Sequence, residues 1–126
     1  MSMRTPLGKV RGLGSAKSGT EHFWQQRITA LANVPLMFFL VVVVIATIGA
    51  DYAQAKALLG SPFVAIGVLA AVVSGLVHMR LGMQVIIEDY IPNEAMKIGA
   101  LYLNTFATVL IGIACVWAVA KLSFGA

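Results

Sequence analysis

Three long stretches without charge, a basic N-terminal segment and a 60% hydrophobic composition predict an all-α integral membrane protein with three transmembrane helices. Charged residues are missing from 28–50, 57–77 and 98–120. Each stretch is about 20 residues or longer, enough to cross a hydrocarbon core of ~30 Å as a helix. Only 11% of the residues are charged, which excludes an ordinary soluble domain. The spans are expected near 27–50, 61–87 and 97–121, within helices of about 21–50, 61–89 and 94–122. The whole chain, 1–126, then reads as one membrane domain behind a cytoplasmic tail of residues 1–20.

That tail is rich in Gly, Ser, Lys and Arg and shows no helical periodicity. Two readings stand: a disordered tail, or an extended arm ordered on a partner at the membrane surface. Arg4, Lys9, Arg11, Lys17 and Arg27 precede or open the first span against Glu21 alone, which puts the N-terminus in the cytoplasm. Three crossings then place a short 51–60 loop outside, the 88–97 loop inside and the C-terminus outside. Lys97 agrees with this orientation, while Lys56 and Lys121 run against it. Nucleic acid is excluded as a partner of the basic tail, because no soluble binding module accompanies it. The first ~26 residues also lack the apolar core of a cleaved secretory signal.

Thr20 stands where a helix cap is needed, and Phe23 and Trp24 form an interfacial anchor. Asn33 and Pro35 fall inside the first span, where Pro35 removes a backbone hydrogen bond and favours a kink. Asp51 and Tyr52 end that span. Pro62 restarts the chain at a favourable first-turn position. The Ile91-Pro92-Asn93-Glu94 run breaks it again, and Asn93 can cap the third helix. Asn104, Thr105 and Thr108 are the polar residues of the third span, suited to interhelical hydrogen bonds. Cys115 stands alone, so neither a disulfide frame nor a thiolate metal cluster is expected, and it reads as a small hydrophobe. No internal repeat is found.

The second span carries the chemistry. Small residues at Gly67, Ala71, Ser74, Gly75 and Gly82 share a stripe with His78. Such a stripe ordinarily lets another helix approach closely, and it also leaves a flat surface against which a porphyrin can lie. A neutral imidazole is a good haem-iron ligand. The competing reading has His78 hydrogen-bonding a neighbouring helix or facing a water pocket. His22 precedes the first span, so a bis-histidine haem needs its second ligand from another subunit. No zinc or two-metal cluster can be assembled from these residues.

Arg80, about 200° around the helix from His78, points elsewhere and needs a buried anionic or carbonyl partner. Arg27 reads as an anchor whose charged end reaches the interface, well placed to pair with a carboxylate at that depth. Asp89 comes round to nearly the same face as His78, ~16 Å further along the helix. Acids and tyrosines are ordinary at helix ends near an interface. A phenol beside a carboxylate can also donate a hydrogen bond to a bound carbonyl while the acid orients it or relays a proton.

At His78, Gly82, Asp89 and Tyr90 the sequence resembles the membrane-anchor subunits of succinate dehydrogenase (respiratory complex II), type D, which carry His-x3-Gly-x6-Asp-Tyr at the end of the second helix. The run Phe23-Trp24-Gln25-Gln26-Arg27-Ile28-Thr29-Ala30 is similar to the alphaproteobacterial members, as are Thr5-Pro6-Leu7-Gly8 and Gly12-Leu13-Gly14-Ser15-Ala16. The resemblance implies a bundle formed with a companion cytochrome b subunit in the bacterial inner (plasma) membrane. It implies that His78 is one axial ligand of a shared haem b, with Gly75 and Gly82 on the haem face and Arg27 near its propionates. Tyr90 would hydrogen-bond a carbonyl of ubiquinone, supported by Asp89. The partners implied are the cytochrome b, iron–sulfur and flavoprotein subunits, together with membrane lipid.

The subunit would be a non-catalytic part of an enzyme, serving electron transport and the tricarboxylic acid cycle. A fumarate reductase anchor running the opposite direction is the nearest alternative, and a structural subunit of another respiratory complex the next. A small transporter or proton-relay protein fits less well. All five acids lie at segment ends or in loops, whereas transport in so short a chain needs a carboxylate within a span.

Overall fold

The computed structural model describes residues 5–12 and 19–125, and every regular element in them is helical. Arg4, Lys17 and the 13–16 stretch singled out above lie outside the described residues. The helices are α1 (Pro6–Val10), α2 (Glu21–Ala46), α3 (Tyr52–Gly60), α4 (Pro62–Tyr90) and α5 (Glu94–Phe124). Three of them, α2, α4 and α5, are long and apolar enough to cross a membrane. At 1.5 Å per residue they run roughly 39 to 46 Å, more than a hydrocarbon core needs.

Caps and breaks account for most boundaries. The Thr5 hydroxyl accepts from the Gly8 N–H and starts the single turn of α1, inside a tail whose sequence shows no periodicity. Thr20 occupies the position before α2, but its side chain makes no capping hydrogen bond there, contrary to expectation. Its backbone is already helical, whereas a capping side chain needs an extended one. Pro35 lies inside α2 without ending it. Gly49, at φ +77°, supplies a left-handed turn within the α2–α3 connection.

Residues 52–60, expected as loop, form α3. Asp51 accepts from the Gln54 N–H at 2.8 Å, and the Gln54 side chain accepts from the Asp51 N–H at 3.3 Å. This reciprocal pair is a capping box, so Asp51 starts a helix instead of closing the first span. Pro62 takes the first turn of α4, and Asn93 caps α5 by accepting from the Met96 N–H at 3.0 Å.

The long helices form an open row. α4 packs on α2 along one side and on α5 along the other, while among the described residues α2 and α5 do not touch. α3 lies against α5 and the start of α4. Burial is accordingly concentrated on α4, which contributes Ala65, Ala71, Leu81 and Ile87; Ala71 is only 1% exposed. Small residues set the spacing. A Cβ added to Gly67 would fall 2.5 Å from the Phe39 ring of α2, and one added to Gly60 would fall 2.7 Å from the Leu122 carbonyl oxygen of α5. On the α5 side, Asn104 Nδ2 donates to the Arg80 carbonyl at 3.0 Å, the interhelical bond expected of it. Thr105 and Thr108 instead bond back to the Leu101 and Asn104 carbonyls of their own helix.

Because the atom facing Gly60 is backbone, it cannot rotate away. Gly60→Ala should therefore cost about 1–3 kcal/mol through overpacking. Gly99→Ala, where an added methyl meets nothing within 4 Å, should be tolerated. The thermal unfolding midpoints of the two variants in detergent check this.

Candidate functional site

Gln26, Thr29 and Asn33 recur three and four positions apart on α2, so they share one face of that helix. Ser74, His78 and Gly82 do the same on α4, and the two faces meet. Thr29 Oγ1 lies 3.1 Å from His78 Nδ1. The Gln26 amide lies over Gly82, where an added Cβ would be 3.5 Å from its Nε2. Three further side-chain oxygens, of Gln26, Asn33 and Ser74, are buried without a partner among the described residues. The α2–α4 contact is thus a polar seam.

The seam ends in a chain of hydrogen bonds. His22 Nε2 donates to Gln84 Oε1 at 2.9 Å, and Gln84 Nε2 donates to Glu88 Oε1 at 2.8 Å. An amide oxygen carries no proton, so the donor in the first bond is the imidazole. Beside this chain His22, Phe23, Gln26, Arg27, Gly82 and Val85 line a cleft of about 610 Å³. Arg27 is exposed, with its guanidinium 5.1 Å from the centre of the Phe23 ring, and it forms no ion pair among the described residues. Gly82 sits one turn past His78, about 6 Å along the axis. A fixed positive charge and an imidazole therefore flank the same stretch of α4.

Asp89 and Tyr90 are the last two residues of α4, which stays helical from His78 through to them. Both are exposed, Tyr90 at 80%, and neither lines the cleft. Gly75 has only the Met37 terminal methyl near it, 4.0 Å from an added Cβ. The Arg80 side chain lines a separate cleft of about 370 Å³ between α4 and α5, with Gln84, Tyr102 and Thr105. No cluster of three or more His, Cys, Asp or Glu that could hold a metal occurs among the described residues.

The structure thus brings Arg27 and Gly82 to one cleft near His78 and leaves Asp89 and Tyr90 apart. Three residues that sequence reasoning passed over enter the site: His22, Gln84 and Thr29. For Thr29 a signal existed, since it completes a polar stripe with Gln26 and Asn33. Nothing in the spacing alone pairs His22 with Gln84, 62 positions away.

A family model described as succinate dehydrogenase/fumarate reductase transmembrane subunit matches residues 1–119. The chain belongs to this family. The succinate dehydrogenase hydrophobic membrane anchor subunit of Paracoccus denitrificans is 34% identical over 122 residues, covering 97% of this chain and 94% of that one. The protein of the same name from Rickettsia bellii is 38% identical over 94 residues, 75% of each chain. The succinate dehydrogenase membrane anchor subunit of Reclinomonas americana is 32% identical over 90 residues, 69% of this chain and 75% of its own. No solved structure matches the chain. As a transmembrane subunit of this family, the chain supplies the three apolar helices of a multi-pass membrane protein.

Gln84 is the one side chain that joins His22 to Glu88. Gln84→Leu should remove both bonds and destabilise the α2–α4 contact by about 1–3 kcal/mol. Glu88→Gln, which keeps an acceptor oxygen, should leave stability near the wild-type value. Thermal unfolding midpoints measured side by side distinguish the two outcomes.

Proposed function

We propose that this chain is the hydrophobic membrane-anchor subunit of a succinate dehydrogenase in a bacterial inner membrane. It pairs with a cytochrome b subunit and holds the iron–sulfur and flavoprotein subunits at the cytoplasmic face, with its own N-terminus on that side. The observation that carries this reading is the similarity across 97% of the chain to a relative of that name. The excess of basic residues ahead of the first span supports the orientation. The open row of α2, α4 and α5 supports a companion, since it leaves long apolar helix faces for another membrane chain to cover.

The residues present suit a haem b. His78 is half-buried, and one of its ring nitrogens is engaged by Thr29, which leaves the other to face a metal. Arg27, which forms no ion pair among the described residues, would hold a propionate through a charge-assisted pair of the strong kind. Gly75 and Gly82 keep that stretch of α4 flat. A second histidine ligand would have to come from the partner, because the only other histidine of this chain, His22, lies in the first turn of α2 and is bonded to Gln84. When bound, the haem supplies reversible one-electron chemistry.

Quinone reduction takes place at the cytoplasmic end of α4. Tyr90 donates a hydrogen bond to a carbonyl of ubiquinone, and Asp89 orients that end or passes a proton toward it. The exposure of both side chains supports this role, because a substrate and a partner surface can reach them. The family description also covers fumarate reductase, whereas the three relatives above are named for succinate dehydrogenase, which favours the oxidising direction.

A reduced-minus-oxidised optical spectrum of the complex purified with its partners, together with an assay of succinate-driven quinone reduction, tests the proposal. A b-type band with activity is the expected result; an intact complex lacking both would overturn it. His78→Ala should lose the band. Tyr90→Phe should keep the band and slow quinone reduction roughly two- to tenfold, the worth of one hydrogen bond.

A further inference from the structure

We propose that Thr29 is the positioning residue for His78: its hydroxyl fixes the tautomer of the imidazole, aims the ring and sets how strongly the ring donates electrons to a metal. The inference rests on the reading of His78 as a haem ligand and goes beyond it, because that reading uses the Thr29 contact only to leave one nitrogen free and gives the hydroxyl no part in tautomer, ring orientation or ligand strength.

The argument starts from the hydroxyl proton. Thr29 Oγ1 lies 2.7 Å from the Gln25 carbonyl oxygen and 3.2 Å from that of Gln26, inside its own helix. A carbonyl can only accept, so the single hydroxyl proton of Thr29 is committed to the shorter of these contacts. What Thr29 turns toward α4 is therefore a lone pair. His78 Nδ1, 3.1 Å away, must be the donor. This assignment follows from the hydrogen-bond network. A neutral imidazole with its proton on Nδ1 has its free lone pair on Nε2, the atom a metal needs.

The geometry also restrains the ring. Thr29 is β-branched, stiff at χ1 and tied to its own backbone, so the acceptor hardly moves. The α2–α4 register is held independently by the His22–Gln84 bond and by Phe39 against Gly67. A hydrogen bond from the far nitrogen of a ligating histidine orients the ring and raises its basicity. A more basic ligand stabilises the oxidised metal, so loss of the bond raises the reduction potential.

The test uses the assembled complex carrying Thr29→Val, which keeps the shape and removes the hydroxyl, beside Thr29→Ser, which restores it. Redox titration of the b-type band should show Thr29→Val moved to a more positive midpoint and Thr29→Ser close to wild type. The low-spin EPR signal should change in Thr29→Val only. Equal midpoints and signals in all three proteins would overturn the proposal, leaving Thr29 as packing. Should Thr29→Val not assemble, pulsed EPR of the oxidised wild-type haem still decides. A remote imidazole nitrogen with the coupling of a hydrogen-bonded N–H is expected, and two unbonded ones would overturn the inference. His78→Ala separates the two readings: if the band survives that substitution, the ligand assignment fails whatever Thr29 does.

Discussion

A hydrocarbon core offers polar side chains no hydrogen-bonding solvent, so such groups inside a spanning helix must find partners within protein. In this chain that constraint sorts α2 and α4 face to face. Gln26, Thr29 and Asn33 on one helix meet Ser74, His78 and Gly82 on the other; the Thr29–His78 bond lies in the middle of the seam, and oxygens of Gln26, Asn33 and Ser74 stay without a partner among the described residues. Placing His78 on the lipid face would leave both ring nitrogens unsatisfied. The same bond that makes the histidine tolerable in a membrane leaves one nitrogen over, and on the proposed reading that nitrogen is the haem ligand.

The seam works only because α4 is built to be approached from two sides. Gly67 admits the Phe39 ring from α2, and Gly112 of α5 would bring a Cβ to 3.3 Å from the Leu76 side chain of α4. Close approach on both flanks explains why the few buried side chains gather on the central helix while α2 and α5 contribute Val43 and Thr108 alone. A row of three helices is not a closed bundle. Its exposed residues include Phe38, Val44, Leu103 and Leu110, apolar surface that suits lipid or another membrane chain. Fold and assembly are thus linked: the row is complete as an anchor and incomplete as a container.

The spans were legible because lengths without charge are a strong signal, and the Pro62 and Asn93 starts because their chemistry is local. The helix α3 was hidden by its neighbours. Between a span ending near Ala50 and the Ser61-Pro62 break, nine residues read as connection, although Asp51 and Gln54 already spell a capping box. Thr20 shows the converse, a good capping residue whose helical backbone turns its side chain away from the role. At the site, His78, Arg27 and Gly82 were legible as types of residue in a pattern. The contacts of His22 with Gln84 and of Thr29 with His78 were not, because each needs the antiparallel register of two helices, which packing alone decides.

That register also explains why the two halves of the site differ so much in finish. His78 is fixed by a neighbour from its own chain, and the cleft beside it is walled by α2 and α4 together. Asp89 and Tyr90 lie beyond the seam, where α2 has already ended its packing at His22 and Gln84. Among the described residues none walls them in, and the phenol of Tyr90 has no hydrogen-bond partner there and stands 80% exposed. A pocket for a planar apolar substrate needs walls as well as a donor. On the proposed reading those walls belong to the other subunits, so the imidazole is positioned before assembly and the quinone end only by it.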